Sequence, residues 1–309
     1  YAQIGHGGRS ATAGTLNDGI ADFSGAINVT TVNGGDLFVR GTQLTGQAVA
    51  DGRYASGQLG HGGTSARGDS SGILTLQIAG RTQVQGGTLL DTVITRAQNY
   101  GQIGHGGFDG DGAHSGAISL QTTGDIEIRA GLSRESYAQI GHGGMNDNVG
   151  NNTGNITLFT GTGSVRLIGG NGPGGGEHAT SMVGHGGINA TGSHSGDITV
   201  TSGNEVTLLE GGRDVTFKLI GHGGRDADGD HSGSIRVTAQ NNIRLVGGIN
   251  DYSYAQVGHG GDTSDGNFTA DLIEVISNTG RIDVIGGVAG TTGSDGRNGY
   301  AQIGLGGNL

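Results

Sequence analysis

The sequence predicts an all-β parallel β-helix, that is, a β-solenoid built from about seven repeats with three short strands per repeat. Three observations support this prediction. A Gly-His-Gly-Gly string recurs along the chain, short apolar runs alternate with period 2, and the apolar content is too low for one large core.

The Gly-His-Gly-Gly string is the clearest mark of the repeat, and its copies are 37 to 55 residues apart. The histidines of the seven copies are His6, His61, His105, His142, His185, His222 and His259. An eighth copy carries Leu305 in the histidine position. A unit repeated in tandem is the signature of a solenoid. The repeats therefore predict one solenoid segment over residues 1–309, as part of a longer chain.

Each repeat contains three short strand signals. In one unit these signals are residues 219–220 before the histidine, then residues 235–238 and residues 243–246. Gly, Asn and Asp fill the joints, and extra residues, as at 9–23 and 41–56, are expected to form loops at the corners. A propeller is the alternative, but its blades normally need four strands and larger side chains. Whether a repeat makes one coil or two stays open.

Composition excludes several classes of protein. Apolar residues make up 32%, glycine supplies 71 residues, and no cysteine is available for disulfides or thiolate chemistry. The net charge of −11 makes nucleic acid and anionic membranes poor partners. No apolar run approaches the roughly 20 residues that span a bilayer, so membrane insertion is not expected. No catalytic motif is present, and the chain is predicted not to be an enzyme.

The repeat histidines are the first candidate site. If equivalent positions stack, their imidazoles lie about 4.8 Å apart, the spacing of paired strands. Such a column could bind a soft divalent metal such as Zn, Ni or Cu, or titrate near pH 6 and loosen the stack. The alternative is a neutral structural ladder at a corner, and Leu305 favours it because an apolar residue fits the same position. A second set, His114, His194 and His231, is interpreted as surface turn residues.

Two further patterns accompany the histidines. Glutamines recur at one motif position and are expected to form an outward ladder that stabilises the stack, namely Gln3, Gln102, Gln139, Gln256 and Gln302. Tyrosines recur two residues earlier, at Tyr1, Tyr137, Tyr254 and Tyr300, and are expected to point outward as well.

Alternate carboxylates at Asp226, Asp228 and Asp230 resemble the first half of a calcium loop. The rest of that loop is missing, and Asp also serves as a turn former, so these residues are weak calcium candidates. No cofactor is expected beyond calcium or a soft divalent metal.

Residues 196–208, Gly-Asp-Ile-Thr-Val-Thr-Ser-Gly-Asn-Glu-Val-Thr-Leu, resemble the repeats of filamentous haemagglutinin-like proteins. These are right-handed β-helical adhesins and exoproteins of Gram-negative bacteria, exported by two-partner secretion. The similarity covers nearly the whole chain, but the family's secretion domain is not recognisable in it. The resemblance implies a stalk or fibre segment and transfers no catalytic residue.

These observations predict a structural or adhesive segment of an extracellular or cell-surface fibre, secreted by or displayed on a Gram-negative bacterium. The expected partners are other copies of the chain or flanking repeats, joined end to end, and cell-surface glycans or proteins. Two rivals stay open. One is a self-assembling filament subunit, and the other is a carbohydrate- or metal-binding solenoid module.

Overall fold

The computed structural model describes residues 1–11, 22–43, 55–88, 98–171, 178–209, 211, 215–287 and 299–307. Within these residues the chain forms stacked parallel β-strands and no helix. Each rung of the stack places one strand in each of four sheets, and equivalent strands of successive rungs pair side by side. The predicted parallel β-helix of about seven rungs is therefore confirmed, with one coil per repeat.

The first sheet is formed by the strands that precede each Gly-His-Gly-Gly string. Its eight strands are β1 (Ala2–Ile4), β5 (Gly57–Leu59), β9 (Gly101–Ile103), β13 (Ala138–Ile140), β17 (Ser181–Val183), β22 (Lys218–Ile220), β27 (Ala255–Val257) and β31 (Ala301–Ile303). The second sheet consists of two-residue strands, β2 (Phe23–Ser24), β6 (Ser70–Ser71), β10 (His114–Ser115), β14 (Asn152–Thr153), β19 (His194–Ser195), β24 (His231–Ser232) and β28 (Phe268–Thr269).

The third and fourth sheets carry the longer apolar strands. The third contains β3 (Ile27–Thr30), β7 (Leu74–Ile78), β11 (Ile118–Thr122), β15 (Ile156–Thr160), β20 (Ile198–Ser202), β25 (Ile235–Ala239) and β29 (Ile273–Ser277). The fourth contains β4 (Leu37–Arg40), β8 (Thr82–Gln85), β12 (Ile126–Arg129), β16 (Val165–Ile168), β21 (Val206–Leu209), β26 (Ile243–Val246) and β30 (Ile282–Ile285). Two further strands, β18 (Gly186–Ile188) and β23 (Gly223–Arg225), pair with each other.

The predicted strands of the example unit coincide with β22, β25 and β26. The structure adds the two-residue strand of the second sheet to each rung, so a rung holds four strands rather than three. In the rungs from β2 to β24 this strand ends at the Ser or Thr that precedes a joint glycine, and the sequence pattern Ser-Gly-x-Ile-x-Val/Leu predicts a single strand from that Ser onward. The expected corner loops at 9–23 and 41–56 fall largely outside the described residues.

The main core lies between the first, third and fourth sheets. One rung contributes Ile140, Leu158 and Leu167 to it, each with 0% of its surface exposed. Because the pairing is parallel and in register, each apolar side chain stacks on its equivalent in the next rung, as Ile156 does on Ile198. Two inward side chains per strand therefore suffice to fill a narrow core, which explains how the chain folds with so few apolar residues.

Candidate functional site

The structure brings the seven Gly-His-Gly-Gly histidines together in one column. Successive ring centroids are 4.7 to 5.0 Å apart, and successive ring planes are within 5° of parallel. The column follows the end of the first sheet, where the chain turns out of the main core. Its spacing follows from the strand spacing, because each rung supplies one ring at an equivalent position.

Each ring from His61 to His259 makes two hydrogen bonds at this corner. The backbone N–H of the histidine in one rung donates to the Nδ1 atom of the next histidine, as between His142 and His185 at 2.9 Å. The Nε2 atom of the same ring contacts the carbonyl oxygen of a glycine in the joint between the second and third sheets, as between His185 and Gly154 at 2.7 Å. A backbone N–H can only donate, so Nδ1 is the acceptor and Nε2 carries the hydrogen. The same pattern recurs at His61, His105, His142, His222 and His259.

The imidazoles are therefore held neutral. Burial lowers the pKa of His105 to about 4 and lowers the pKa of His142, His185 and His222 well below 6.5. Protonated neighbours in the column act in the same direction, because like charges repel. The expectation that the folded column titrates near pH 6 is thus wrong for these rings. The sequence could not give their burial, which depends on what packs around the corner.

A metal ion would have to compete with these hydrogen bonds, since both nitrogens of each buried ring are already engaged. Among the residues that the structure describes, no group of three or more His, Cys, Asp or Glu side chains is placed to hold a metal ion. Binding of a soft metal to the column stays a prediction.

The glycine before each histidine is required by the close approach of successive rungs. Gly141 has a φ of +155°, and a Cβ atom added there would lie 1.7 Å from the carbonyl oxygen of Gly184 in the next rung. A side chain at this position would displace backbone, so the corner can be built only with glycine.

The glutamines do stack, but the expectation of an outward ladder is wrong. Gln102, Gln139 and Gln256 are at most 2% exposed. The amide of Gln102 donates to three carbonyl oxygens: His105 of its own rung at 3.3 Å, and Gly141 and Gly143 of the next rung at 3.1 and 2.8 Å. Gln102, Gln139 and Gln256 thus clamp the Gly-His-Gly-Gly turn to the turn of the following rung. We call this arrangement the glutamine clamp.

The glutamines of the clamp differ in how many carbonyl oxygens they contact. Gln58 makes the same three contacts, although the sequence reasoning omitted it; its place between Gly57 and Leu59 before His61 was the available signal. In the first rung Gln3 donates to the equivalent carbonyls, and in the last rung Gln302 donates to the carbonyl oxygen of Leu305.

The glutamines are buried because the chain beyond Gly-His-Gly-Gly covers the outer face of the first sheet. A second apolar cluster forms there, from Tyr100, Phe108, Tyr137, Met145, Met182, Ile188, Phe217, Leu219 and Tyr254. Alternation correctly places Gln opposite Ile, but it does not reveal that this face is covered. The expectation of outward tyrosines is also wrong for Tyr137 and Tyr254, which are 3% and 0% exposed, whereas Tyr1 is 43% exposed.

The second set of histidines is buried too, so their interpretation as surface turn residues is wrong. His114, His194 and His231 lie in the second sheet and are at most 2% exposed. The rings of His194 and His231 stack at 5.1 Å, and the Nε2 atom of His114 lies 3.4 Å from a carboxylate oxygen of Asp147. This second column is packed against glycines such as Gly186 and Gly223, whose missing side chains leave room for the rings.

The geometry does not support calcium at Asp226, Asp228 and Asp230, because no metal-holding group includes them. Asp230 accepts the backbone N–H and the side-chain amide of Asn267 at 3.0 and 2.9 Å. The backbone hydrogen bond from Asn267 lowers the pKa of Asp230 below its usual value. Asp226 accepts the hydroxyl of Thr263, and Asp228 is exposed. Asp226 and Asp230 therefore link neighbouring rungs at the turns.

No helix among the described residues is long and apolar enough to cross a membrane. No family model, curated protein or solved structure matches the chain. The parallel solenoid and its stacked corner devices therefore rest on the chain's own geometry.

Proposed function

We propose that the chain is a structural and adhesive segment of an extracellular or cell-surface fibre of a Gram-negative bacterium, like the filamentous haemagglutinin-like proteins whose repeats it resembles. The observation that supports this most is the uninterrupted, in-register pairing of all four sheets along one axis. The role is mechanical, so the proposal assigns the chain no catalytic step and requires no resident cofactor.

Continuous pairing suits a load-bearing rod. From one rung to the next, β13 pairs with β17, β14 with β19, β15 with β20 and β16 with β21. The histidine column and the glutamine clamp add side-chain hydrogen bonds across the same junction. A force along the axis would act on all of these bonds together. At about 4.8 Å per rung the described stack extends roughly 35 Å, so a long fibre needs many such rungs.

End-to-end association is supported by the two outermost rungs. Ile4 and Ile303 occupy core positions of the first sheet, yet they are 52% and 38% exposed. A further rung would cover them, whether it came from flanking repeats or from another copy of the chain. We therefore propose neighbours of these kinds as its partners along the axis, with surface glycans or proteins as the adhesive partners.

Excision of one complete rung tests the structural role. Removal of residues 186–222 joins His185 directly to Gly223 and preserves the register of every sheet. The shortened chain should fold cooperatively, and small-angle X-ray scattering should show a rod shorter by about 5 Å. Removal of residues 186–204 alone is the matched control, because it breaks the register and should prevent folding. If excision of the complete rung unfolds the chain as thoroughly as the control does, the proposal of interchangeable rungs fails.

The second candidate is a self-assembling filament subunit, favoured by the same exposed core side chains. Electron microscopy of the purified chain separates the two. Filaments that grow with protein concentration support assembly from single chains, whereas discrete short rods contradict it and leave the fibre segment as the function.

A further inference from the structure

We propose that the histidine column is an acid-sensitive clasp: below neutral pH the imidazoles take up protons once the corner opens, so acid favours the open corner and the rungs separate cooperatively. This device goes beyond the proposed structural function, because it gives the fibre a condition under which it comes apart.

The clasp depends on which nitrogen is free of hydrogen. In the neutral column the N–H of His142 donates to Nδ1 of His185 at 2.9 Å, and the N–H of His185 donates to Nδ1 of His222 at 3.0 Å. A protonated imidazole carries a hydrogen on both nitrogens. Protonation would therefore set two hydrogens against each other at this contact. The link between rungs would be lost, and a backbone N–H would be left buried without an acceptor.

Among the described residues, no carboxylate acts on the four most deeply buried rings of the column. The titratable groups that act on its buried rings are other imidazoles, either neighbours in the column or His114, His194 and His231 of the second sheet. The joint glycines contribute carbonyl oxygens, and the adjacent first-sheet residues, such as Ile140 and Val183, are apolar. The two nearby carboxylates face the second column: Asp147 contacts His114, and Asp230 acts on His231.

The sign of the pH effect follows from burial. Burial lowers the pKa of eight imidazoles below the 6.5 of an exposed histidine: His61, His105, His142, His185, His194, His222, His231 and His259. Between the folded and unfolded pKa values the unfolded chain binds more protons than the folded one. Stability is therefore full above pH 6.5 and is lost as the pH falls below it. Each such imidazole raises the unfolding constant by up to tenfold for each unit that the pH falls.

Urea unfolding of the chain from pH 8 to pH 5 tests the clasp, with His185→Asn/His222→Asn as the variant. The Asn Oδ1 atom can accept the same backbone N–H as Nδ1, but it does not titrate. For the unmodified chain we expect the decimal logarithm of the unfolding constant to rise by more than 2 for each unit that the pH falls below pH 6. The variant should lower that slope by about 2, because two titrating rings are gone.

The matched control is His6→Asn, because His6 has the same motif but an exposed ring, and it should change the slope less. If the double variant does not fold at pH 8, the slope of the unmodified chain still decides. A slope below 1 per pH unit would overturn the proposal, and so would a folded double variant with an unchanged slope.

Discussion

Two kinds of rung are distinguished by the residue at one position of the first sheet. Most rungs carry the glutamine clamp there, as at Gln102 and Gln139, whereas two neighbouring rungs carry Met182 and Leu219. Both kinds keep the glycine, the stacked histidine and its two hydrogen bonds. In the two rungs without the clamp, the backbone after the histidine pairs as β18 and β23. The histidine and its glycines are therefore the constant device of the corner, and the clamp is an addition to it.

Beside the clamp, aromatic rings of successive rungs stack in what we call the aromatic column, which contains Tyr100, Tyr137, Phe217, Tyr254 and Tyr300. This column changes together with the clamp. The hydroxyl of Tyr137 donates to the side-chain oxygen of Gln102 in the preceding rung at 3.4 Å. In the rung after Met182 the aromatic residue is Phe217, which has no hydroxyl. In the rung after Leu219 it is Tyr254, whose hydroxyl is buried without a hydrogen-bond partner among the described residues. A buried hydroxyl is thus satisfied where the clamp supplies an acceptor, as expected from the cost of an unpaired polar group.

Substitution of the shared glycine should have the largest effect, and it should be equal in both kinds of rung. In Gly141→Ala and Gly184→Ala the new Cβ atom would lie 1.7 Å from a carbonyl oxygen of the next rung, at a φ above +150°. Strain and overlap together should cost about 4 kcal/mol of unfolding free energy in urea at pH 8. Gly286→Ala is the control, because no heavy atom lies within 4 Å of its added Cβ. A loss at Gly184 well below that at Gly141 would contradict a device common to both kinds of rung.

Conversion of one kind of rung into the other should have an intermediate effect. Gln102→Met removes three amide hydrogen bonds and the acceptor of the Tyr137 hydroxyl, all in a buried setting. We expect a loss of about 2–3 kcal/mol by urea unfolding. The reverse change, Leu219→Gln, offers an acceptor to Tyr254 and should cost less than about 1 kcal/mol. Equal losses of unfolding free energy in the two variants would contradict this expectation. They would show that any substitution of the buried side chain at this position is destabilising, whether or not it removes an amide.

Removal of a single hydroxyl should have the smallest effect and should differ between the two tyrosines. Tyr137→Phe loses the hydrogen bond to Gln102 and should cost about 1 kcal/mol. Tyr254→Phe loses a hydroxyl that has no partner, and it should leave the thermal midpoint unchanged or raise it. A Tyr254→Phe variant less stable than Tyr137→Phe would contradict the coupling between the aromatic column and the clamp.

The sequence predicted the elements that depend on spacing and alternation. The strands at β22, β25 and β26 follow from period 2, and the fixed position of histidine in each repeat predicts one ring per rung. It could not predict what covers the outer face of the first sheet. Alternation separates Gln139 from Ile140 but does not say that Met145 folds back over the glutamine. For the same reason, the position of His194 before a Ser-Gly joint predicts a surface turn residue, whereas the ring is buried by packing that the sequence pattern does not show.

The most direct test of the corner device is the protonation state of its histidines. In ¹⁵N-histidine NMR spectra of the folded chain at pH 6, the rings of His105, His142, His185 and His222 should be neutral. Each should carry hydrogen on Nε2 and none on Nδ1, because Nδ1 accepts a backbone N–H. Charged rings, or neutral rings with the hydrogen on Nδ1, would contradict the hydrogen bonding that closes the histidine corner of each rung.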